Sequence, residues 1–253
     1  MRAARRAGDF IMGHYLTALE VESKADRSPV TVADRGAERL LRDLLAIEFP
    51  SDGILGEEYG EQPGTSARRW ILDPIDGTQS FIRGVPLFGV LIGLEAGGES
   101  VAGVMHFPAL DETVVAARGL GCHWYPPHRP AASPPRRARV SSVERLADGL
   151  VTTTAPGGFD QIDRSAAYDR LRRAARLDRG WGDCYGHLLV ATGRAEAMVD
   201  PMMHVWDNAP LLPILQEAGG TFTDWDGKPT IHSKNGISTN GRVLAEVLAT
   251  LKG

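Results

Sequence analysis

The chain has 253 residues, 43% hydrophobic and 24% charged, with a net charge of -4 and two cysteines. That length buries a sizeable core in one large or two closely packed domains. Cys122 and Cys184 suit a reducing, cytoplasmic setting and argue against a disulfide framework or a cysteine-built zinc site. No run of about 18 apolar residues is present to span a membrane, and the acidic balance offers no footprint for nucleic acid.

The opening "MRAARRAGDFIMGHYL" is basic and then apolar, but Asp9 and His14 interrupt it and no small-residue cleavage site follows. It reads as an amphipathic helix of the mature protein over residues 2–18. A second helix begins near Thr31, where T-x-x-D in "TVAD" has the form of a capping box ahead of Ala37, Leu40, Leu41, Leu44 and Leu45. From Gly53 the texture turns to short extended runs, "GILGEE", "RRWILD", "LFGVLIGLEAG", "SVAGVMHFP" and "ETVVAAR", which predict an antiparallel sheet packed on the two helices. Residues 125–139, "YPPHRPAASPPRRAR", carry five prolines in the first eleven positions and read as an exposed loop, neither helix nor central strand.

Beyond that loop strands and helices alternate: "GLVTTTA", a helix from Tyr168 to Ala175, "ARLDRGW", helix "YGHLLVATG", "AEAMVD", helix "NAPLLPILQEAGG" with a bend expected at Pro213, "TFTDW", and a terminal helix "RVLAEVLATL". Alternation of this kind predicts an α/β layer. The chain thus divides into an N-terminal α+β half, residues 1–140, and a C-terminal α/β half, residues 141–253, working as one unit.

The chemistry concentrates in "RRWILDPIDGT". Asp73 stands where a buried strand leaves the core, Pro74 disfavours helix at Asp73, and Gly77 permits a turn that other residues resist. Asp73 and Asp76 can then converge, and convergent carboxylates repel unless a cation lies between them. Hard oxygen ligands on a rigid turn suit Mg2+. An ordinary Asp-Pro turn, each carboxylate capping local N–H groups, explains the stretch about equally well taken alone. Glu57 and Glu58 follow an apolar run, and Asp207 stands where it can N-cap a helix, a role compatible with ligation through its other oxygen. The Thr78-Gln79-Ser80 step can open a helical turn whose N–H groups bind phosphate.

The set "GEE", "WILDPIDGT", "WDNA...EAGG" and "SKADRSPVTVADR" resembles the inositol monophosphatase family of metal-dependent phosphomonoesterases, in the family's order along nearly the entire chain. The resemblance implies a layered α/β/α/β/α sandwich, of α+β class, and commonly a homodimer. It implies two or three Mg2+ ions on Glu57, Asp73, the Ile75 carbonyl, Asp76 and Asp207. Glu57 and Thr78 then orient the attacking water, with Asp76 in the same catalytic group, and the Gly77 and Thr78 amides hold the phosphate. Lys24 and Asp34 approach the metals in relatives, although Asp34 also reads as the capping-box acid of its helix. Hydrolysis by metal-activated water without a phosphoenzyme follows from that set.

The alcohol is read elsewhere. "GWGDCYGHLLVATG" has Gly182-Asp183-Cys184-Tyr185 where inositol-specific relatives carry small or hydroxyl residues, and the G-D-C-Y form resembles the histidinol-phosphatase branch. Histidinol phosphate presents an ammonium and an imidazole, which carboxylates meet well, so Asp183 and Asp200 are the expected recognition residues beside Cys184 and Asp207. A polyol can also bind to them, and Asp183 equally reads as a helix N-cap. The sequence therefore leaves inositol-1-phosphate or a broad range of sugar phosphates as the alternative substrate. Cys184 reads as a small buried hydrophobe, Met202 and Met203 as pocket borders, and His187 and His204 as structural residues.

Overall fold

Ala4, Ala7 and Ile11 recur at helical spacing and form the buried face of α1 (Arg2–Met12). The structure, a computed structural model, describes residues 1–18, 20–24, 28–128, 130 and 133–253. The first helix is shorter than expected: after Gly13 the chain turns, Leu16 adopts φ 60, and the Thr17 hydroxyl donates to the His14 carbonyl. A side chain that bonds its local backbone in this way competes with helix continuation. A ribbon of β1 (Val21–Ser23) and β2 (Pro29–Thr31) then leads into α2 (Val32–Glu48). The expected capping box is formed: the Ala33 amide donates to Thr31 Oγ1, and the Thr31 amide donates to Asp34 Oδ2 at 2.7 Å.

Next come β3 (Gly53–Gly56), β4 (Gly60–Gln62), β5 (Arg68–Asp76), the short helix α3 (Thr78–Ile82), β6 (Gly89–Ala96), β7 (Glu99–Phe107), β8 (Glu112–Ala117), β9 (Gly121–Tyr125) and β10 (Arg136–Arg137). The eight strands form one sheet in the order β10-β9-β8-β7-β6-β5-β3-β4. Its pairs are antiparallel except β3 with β5, which departs from the wholly antiparallel expectation. In the proline-rich segment, Arg136 and Arg137 pair with β9 at the sheet edge, where a two-residue strand with prolines before it is tolerated. Residues 129, 131 and 132 of that segment lie outside the described residues.

The remainder comprises β11 (Leu150–Thr152), α4 (Pro156–Gln161), α5 (Ser165–Ala174), β12 (Leu177–Arg179), α6 (Cys184–Ala191), β13 (Ala197–Asp200), α7 (Val205–Glu217), β14 (Thr221–Thr223), β15 (Gly236–Thr239) and α8 (Leu244–Lys252). The five strands order as β12-β11-β13-β15-β14, with parallel pairing of β11 to β12 and β13, and antiparallel pairing around β15. The sequence reading overlooked β1, β2, β4, β9, β10, α4 and β15. Only Ile237 of β15 is a large apolar residue, and the polar run before it hides a strand whose four residues are all buried.

Three of the hydrophobic clusters define the layers. Ala4, Ile11, Ala37 and Leu41 pack with Leu72, Val90 and Ile92 beneath α1 and α2. Leu91, Met105 and Val114 of the large sheet pack with Leu188, Leu211 and Leu215 of α6 and α7, and with Met198 and Phe222 of the small sheet. Leu171, Val199, Ile237, Val247 and Leu251 join α5 and α8 to the outer face. The result is the five-layer α/β/α/β/α sandwich. The central helix α7 lies so close on the large sheet that a Cβ at Gly103 would sit 2.3 Å from the Pro210 carbonyl oxygen. α7 runs through both Pro210 and Pro213; Pro213 denies the Ala209 carbonyl its helical donor, and Ser100 Oγ supplies one at 2.6 Å. Among the described residues no helix is long and apolar enough to cross a membrane.

Candidate active site

β5 runs inside the large sheet between β6 and β3 and carries the site at its C-terminal end. Its ladder to β6 is regular as far as Asp73 opposite Leu91, then shifts before Asp76 opposite Gly89, where Pro74 has no N–H to contribute. Asp73 Oδ1 accepts the Ile75 amide at 3.0 Å. The local Asp-Pro turn therefore exists, and it uses one carboxylate oxygen while leaving the other to the cleft. Gly77, at φ 85 and ψ 38, is the N-cap of α3.

Asp207 comes from the other half of the chain. It is the third residue of α7, with His204 as the N-cap, so it does not take the N-cap position itself; its Oδ2 accepts the His204 amide at 2.6 Å, as a capping-box acid does. Asp73, Asp76 and Asp207 each bring a carboxylate oxygen into a group lying within 4.8 Å of one another. Burial pushes the Asp73 carboxyl well above its usual range, and repulsion from Glu57, Asp76 and Asp207 adds to it. Burial also raises Asp76 and Asp207, each repelled by acidic neighbours and held back by an amide, that of Cys184 and of His204 respectively.

Glu57 borders this group and reaches Lys24, whose Nζ lies 2.7 Å from Glu57 Oε1 and 2.5 Å from Glu58 Oε1. Burial alone would lower the Lys24 ammonium; the two carboxylates overturn that and raise it. Burial pushes Glu58 up to about 7. The corner after Glu57 is pinned by a residue the sequence reading passed over: fully buried Glu38 of α2 accepts the Glu58 amide at 2.7 Å and the Tyr59 amide at 3.2 Å. Thr78 Oγ1 is 3.0 Å from the Ile75 carbonyl and 3.3 Å from Asp34 Oδ1. Asp34 thus caps α2 with one oxygen and meets Thr78 with the other. A cavity of about 290 Å3 collects Lys24, Glu57, Asp73, Ile75, Asp76, Gly77, Thr78 and Asp207, with His204 and Trp206 on its wall.

A second cavity of about 70 Å3 shares Asp76 and Asp207 with the first and is lined by Asp183, Cys184, Asp200, Met202 and Met203. Asp183 occupies the N-cap position of α6 but makes no side-chain cap bond. Its backbone, at φ 47 and ψ -153, is held by its own amide on Thr154 Oγ1 at 2.9 Å and by the next amide, of Cys184, on Asp76 Oδ2 at 2.5 Å. The side chain instead lies against the Gly77 turn, its Oδ2 3.1 Å from where a Cβ of Gly77 would be. Burial, with Asp76 and Asp200 nearby, raises its carboxyl well above the usual range. Burial likewise holds the Cys184 thiol in its neutral form, with Asp76 reinforcing the shift. Thr154, which accepts from Asp183 and donates to Asp200, had no signal in the sequence beyond its place at a strand end.

The sequence model of the inositol monophosphatase family matches residues 1–252. The chain belongs to the inositol monophosphatase family. It is 42% identical over 253 residues to the histidinol-phosphatase of Chlorobaculum parvum, covering 99% of this chain and 94% of that protein. It is 37% identical to the histidinol-phosphatase of Streptomyces coelicolor, covering 92% of this chain and 87% of that protein. The solved Thermotoga maritima IMPase superposes with a TM-score of 0.87 at 32% identity, over 99% of this chain and 94% of that one. As a family member, the protein is a phosphoric monoester hydrolase. The donor set suits a metal in this inositol monophosphatase fold: three crowded carboxylates whose mutual repulsion a hard cation relieves.

Proposed function

We propose that the enzyme hydrolyses L-histidinol phosphate to L-histidinol and phosphate, with Mg2+ as cofactor, in histidine synthesis. The observation that carries this reading is the Asp183 carboxylate: it makes no cap bond to α6, accepts from Ser80 beside the Gly77 turn, and has Asp76 and Asp200 near it, so the alcohol side of the site is an acidic wall. A leaving group with an ammonium and an imidazole complements that wall better than a neutral polyol. The two histidinol-phosphatase relatives support the same substrate.

Asp73, Asp76, Asp207, Glu57 and the Ile75 carbonyl are the groups to hold two or three Mg2+ ions. When bound, Mg2+ lowers the pKa of water and neutralises charge on phosphate oxygens. Glu57 accepts the proton of the attacking water, and Thr78, backed by Asp34, fixes that water's direction. The Gly77 and Thr78 amides hold the phosphate, while Asp183 and Asp200 orient the amine-bearing alcohol. Residues 1–140 contribute the phosphate and most of the metal machinery and residues 141–253 the alcohol side, as one catalytic unit, expected to be a homodimer.

Under Mg2+, kcat/KM for L-histidinol phosphate is expected to exceed that for inositol 1-phosphate by about tenfold or more. The reverse preference would select the inositol or sugar-phosphate reading, which the likeness to the Thermotoga IMPase favours. Asp183→Asn is expected to raise KM for L-histidinol phosphate about tenfold and for p-nitrophenyl phosphate far less, because it removes a charge met only by the cationic alcohol. Equal effects on both esters would leave Asp183 a backbone role alone.

A further inference from the structure

The smaller cavity contains a polar atom that the chemistry above leaves unused. His187 on α6 is 1% exposed, and its Nδ1 lies 2.7 Å from Ser238 Oγ on β15. His187 lines the cavity, and its buried Nε2 has no hydrogen-bond partner among the described residues and stands 3.5 Å from Asp200 Oδ2. A buried ring nitrogen left in this way is costly, and such atoms cluster where a ligand or a catalytic role completes them. Contacts of this kind are often long before the ligand is bound.

The surrounding bonds define the direction of the chain. Asp200 Oδ1 accepts the Thr154 amide and Asp200 Oδ2 accepts Thr154 Oγ1, each at 2.9 Å. Having donated to Asp200, the Thr154 hydroxyl accepts the Asp183 amide, on a residue whose φ of 47 is normally left to glycine. At the other end, a lone pair on His187 Nε2 would face the Asp200 carboxylate, so the proton resides on Nε2 and Nδ1 accepts from Ser238.

We infer that His187 is a positioning residue for alcohol selection: the chain Ser238, His187, Asp200, Thr154 holds the Asp200 carboxylate and the Asp183 loop where they meet the cationic alcohol. This rests on the substrate reading above, and it assigns to His187 a function in place of the structural one expected from sequence. Nε2 faces Asp200 Oδ2 at 3.5 Å without a hydrogen bond, so it acts on the carboxylate as a fixed dipole; removing it leaves the Asp200 carboxylate held, among the described residues, by Thr154 alone and loosens Asp183 through the same hydroxyl, without touching Asp73, Asp76 or Asp207.

The test compares His187→Asn, whose carboxamide reaches Ser238 but vacates the Nε2 position, with His187→Gln, whose carboxamide extends to that position. KM for L-histidinol phosphate is expected to rise about tenfold in His187→Asn with kcat changed far less, while KM for p-nitrophenyl phosphate moves little. His187→Gln is expected to recover most of that loss. Equal changes for the two esters, no change, or a failure of His187→Gln to recover would overturn the proposal. Should His187→Asn melt before assay temperature, Ser238→Ala takes its place: it keeps the imidazole, frees its tautomer, and is expected to raise the same KM about threefold. No effect of Ser238→Ala on that KM overturns the proposal equally. If the wild-type enzyme prefers another ester, the substrate reading fails on its own, and the His187 comparison is made with that ester against p-nitrophenyl phosphate.

Discussion

Asp73→Asn is expected to lower kcat on the order of 10^3-fold, since the charge stabilisation lost with a metal ligand is several kcal/mol and each 1.36 kcal/mol is about a factor of ten. The fold survives, because the asparagine carbonyl still accepts the Ile75 amide at the Oδ1 position and the volume barely changes. Stability moves the opposite way from activity. In metal-free protein Asp73 is repelled by Glu57, Asp76 and Asp207, and neutralising it relieves all three. Thermal melts in EDTA should therefore give Asp73→Asn a higher Tm than wild type, and added Mg2+ should narrow or invert that gap. A variant that melts lower than wild type in EDTA would mean that the cluster is not strained in this way.

The same electrostatics gives the metal-free enzyme a pH dependence. The folded-state pKa values of Asp73, Asp76, Asp183 and Asp207 are all raised. Between the unfolded value near 3.9 and the raised folded values, the native state binds more protons than the unfolded chain, so stability falls as pH rises through that window. His106 opposes this, because burial lowers it to about 4 and its contribution falls away as pH drops below its ordinary value. Glu58, pushed up to about 7, and Asp34, also raised, add to the side of those four carboxylates, and the buried Met1 ammonium, lowered from its ordinary value, joins His106 on the other; above about pH 6.5 the imidazole titrates in neither state. Chelated protein is thus expected to lose Tm with rising pH in the neutral range, and Mg2+ should flatten that slope.

Gly77→Ala is expected to reduce kcat/KM about 100-fold, the loss that a displacement of roughly 1 Å in a positioning group can produce. At φ 85 an alanine is strained, at a cost of about 1–2 kcal/mol. Its Cβ would also stand 2.9 Å from the Leu87 carbonyl oxygen and 3.1 Å from Asp183 Oδ2. The Asp183 carboxylate can swing away, but the Leu87 carbonyl is backbone, so the turn carrying the Gly77 and Thr78 amides must shift. Gly97→Ala is the control: Gly97 has φ 60 and nothing within 4 Å of the added carbon. It should lower Tm by a similar strain and leave kcat/KM near wild type. Equal catalytic losses in both variants would mean that strain alone, and not displacement of the turn, accounts for the Gly77 effect.

Much of this site was legible in the chain because its features are local. The sharp exit of β5 follows from Pro74 and Gly77, and the T-x-x-D cap of α2 closes within four residues. Such interactions depend on neighbours a few bonds away, so residue order alone announces them. The alternation of periods likewise announced a sheet on two helices and an α/β layer, the five-layer sandwich following from the family resemblance, and it failed where the pattern is too short or too polar to register, as in β15.

Other features depended on how the layers pack. Whether Asp183 caps α6 or faces the Gly77 turn is decided by its φ of 47, which in turn depends on Thr154 and Asp76 holding the backbone from 29 and 108 residues away. Asp207 serves the acidic cluster only because α7 lies tightly between the two sheets and presents its first turn to the end of β5. Glu38 and His187 had no sequence signature, since one acts through a loop on a neighbouring element and the other through an atom left unbonded. The sequence by itself determined the family, the sharp acidic turn at the end of β5 and the layered fold. Only the tertiary structure decided which carboxylates crowd around the cleft and where Asp183 lies, because those placements are set by neighbours that the chain brings together through packing.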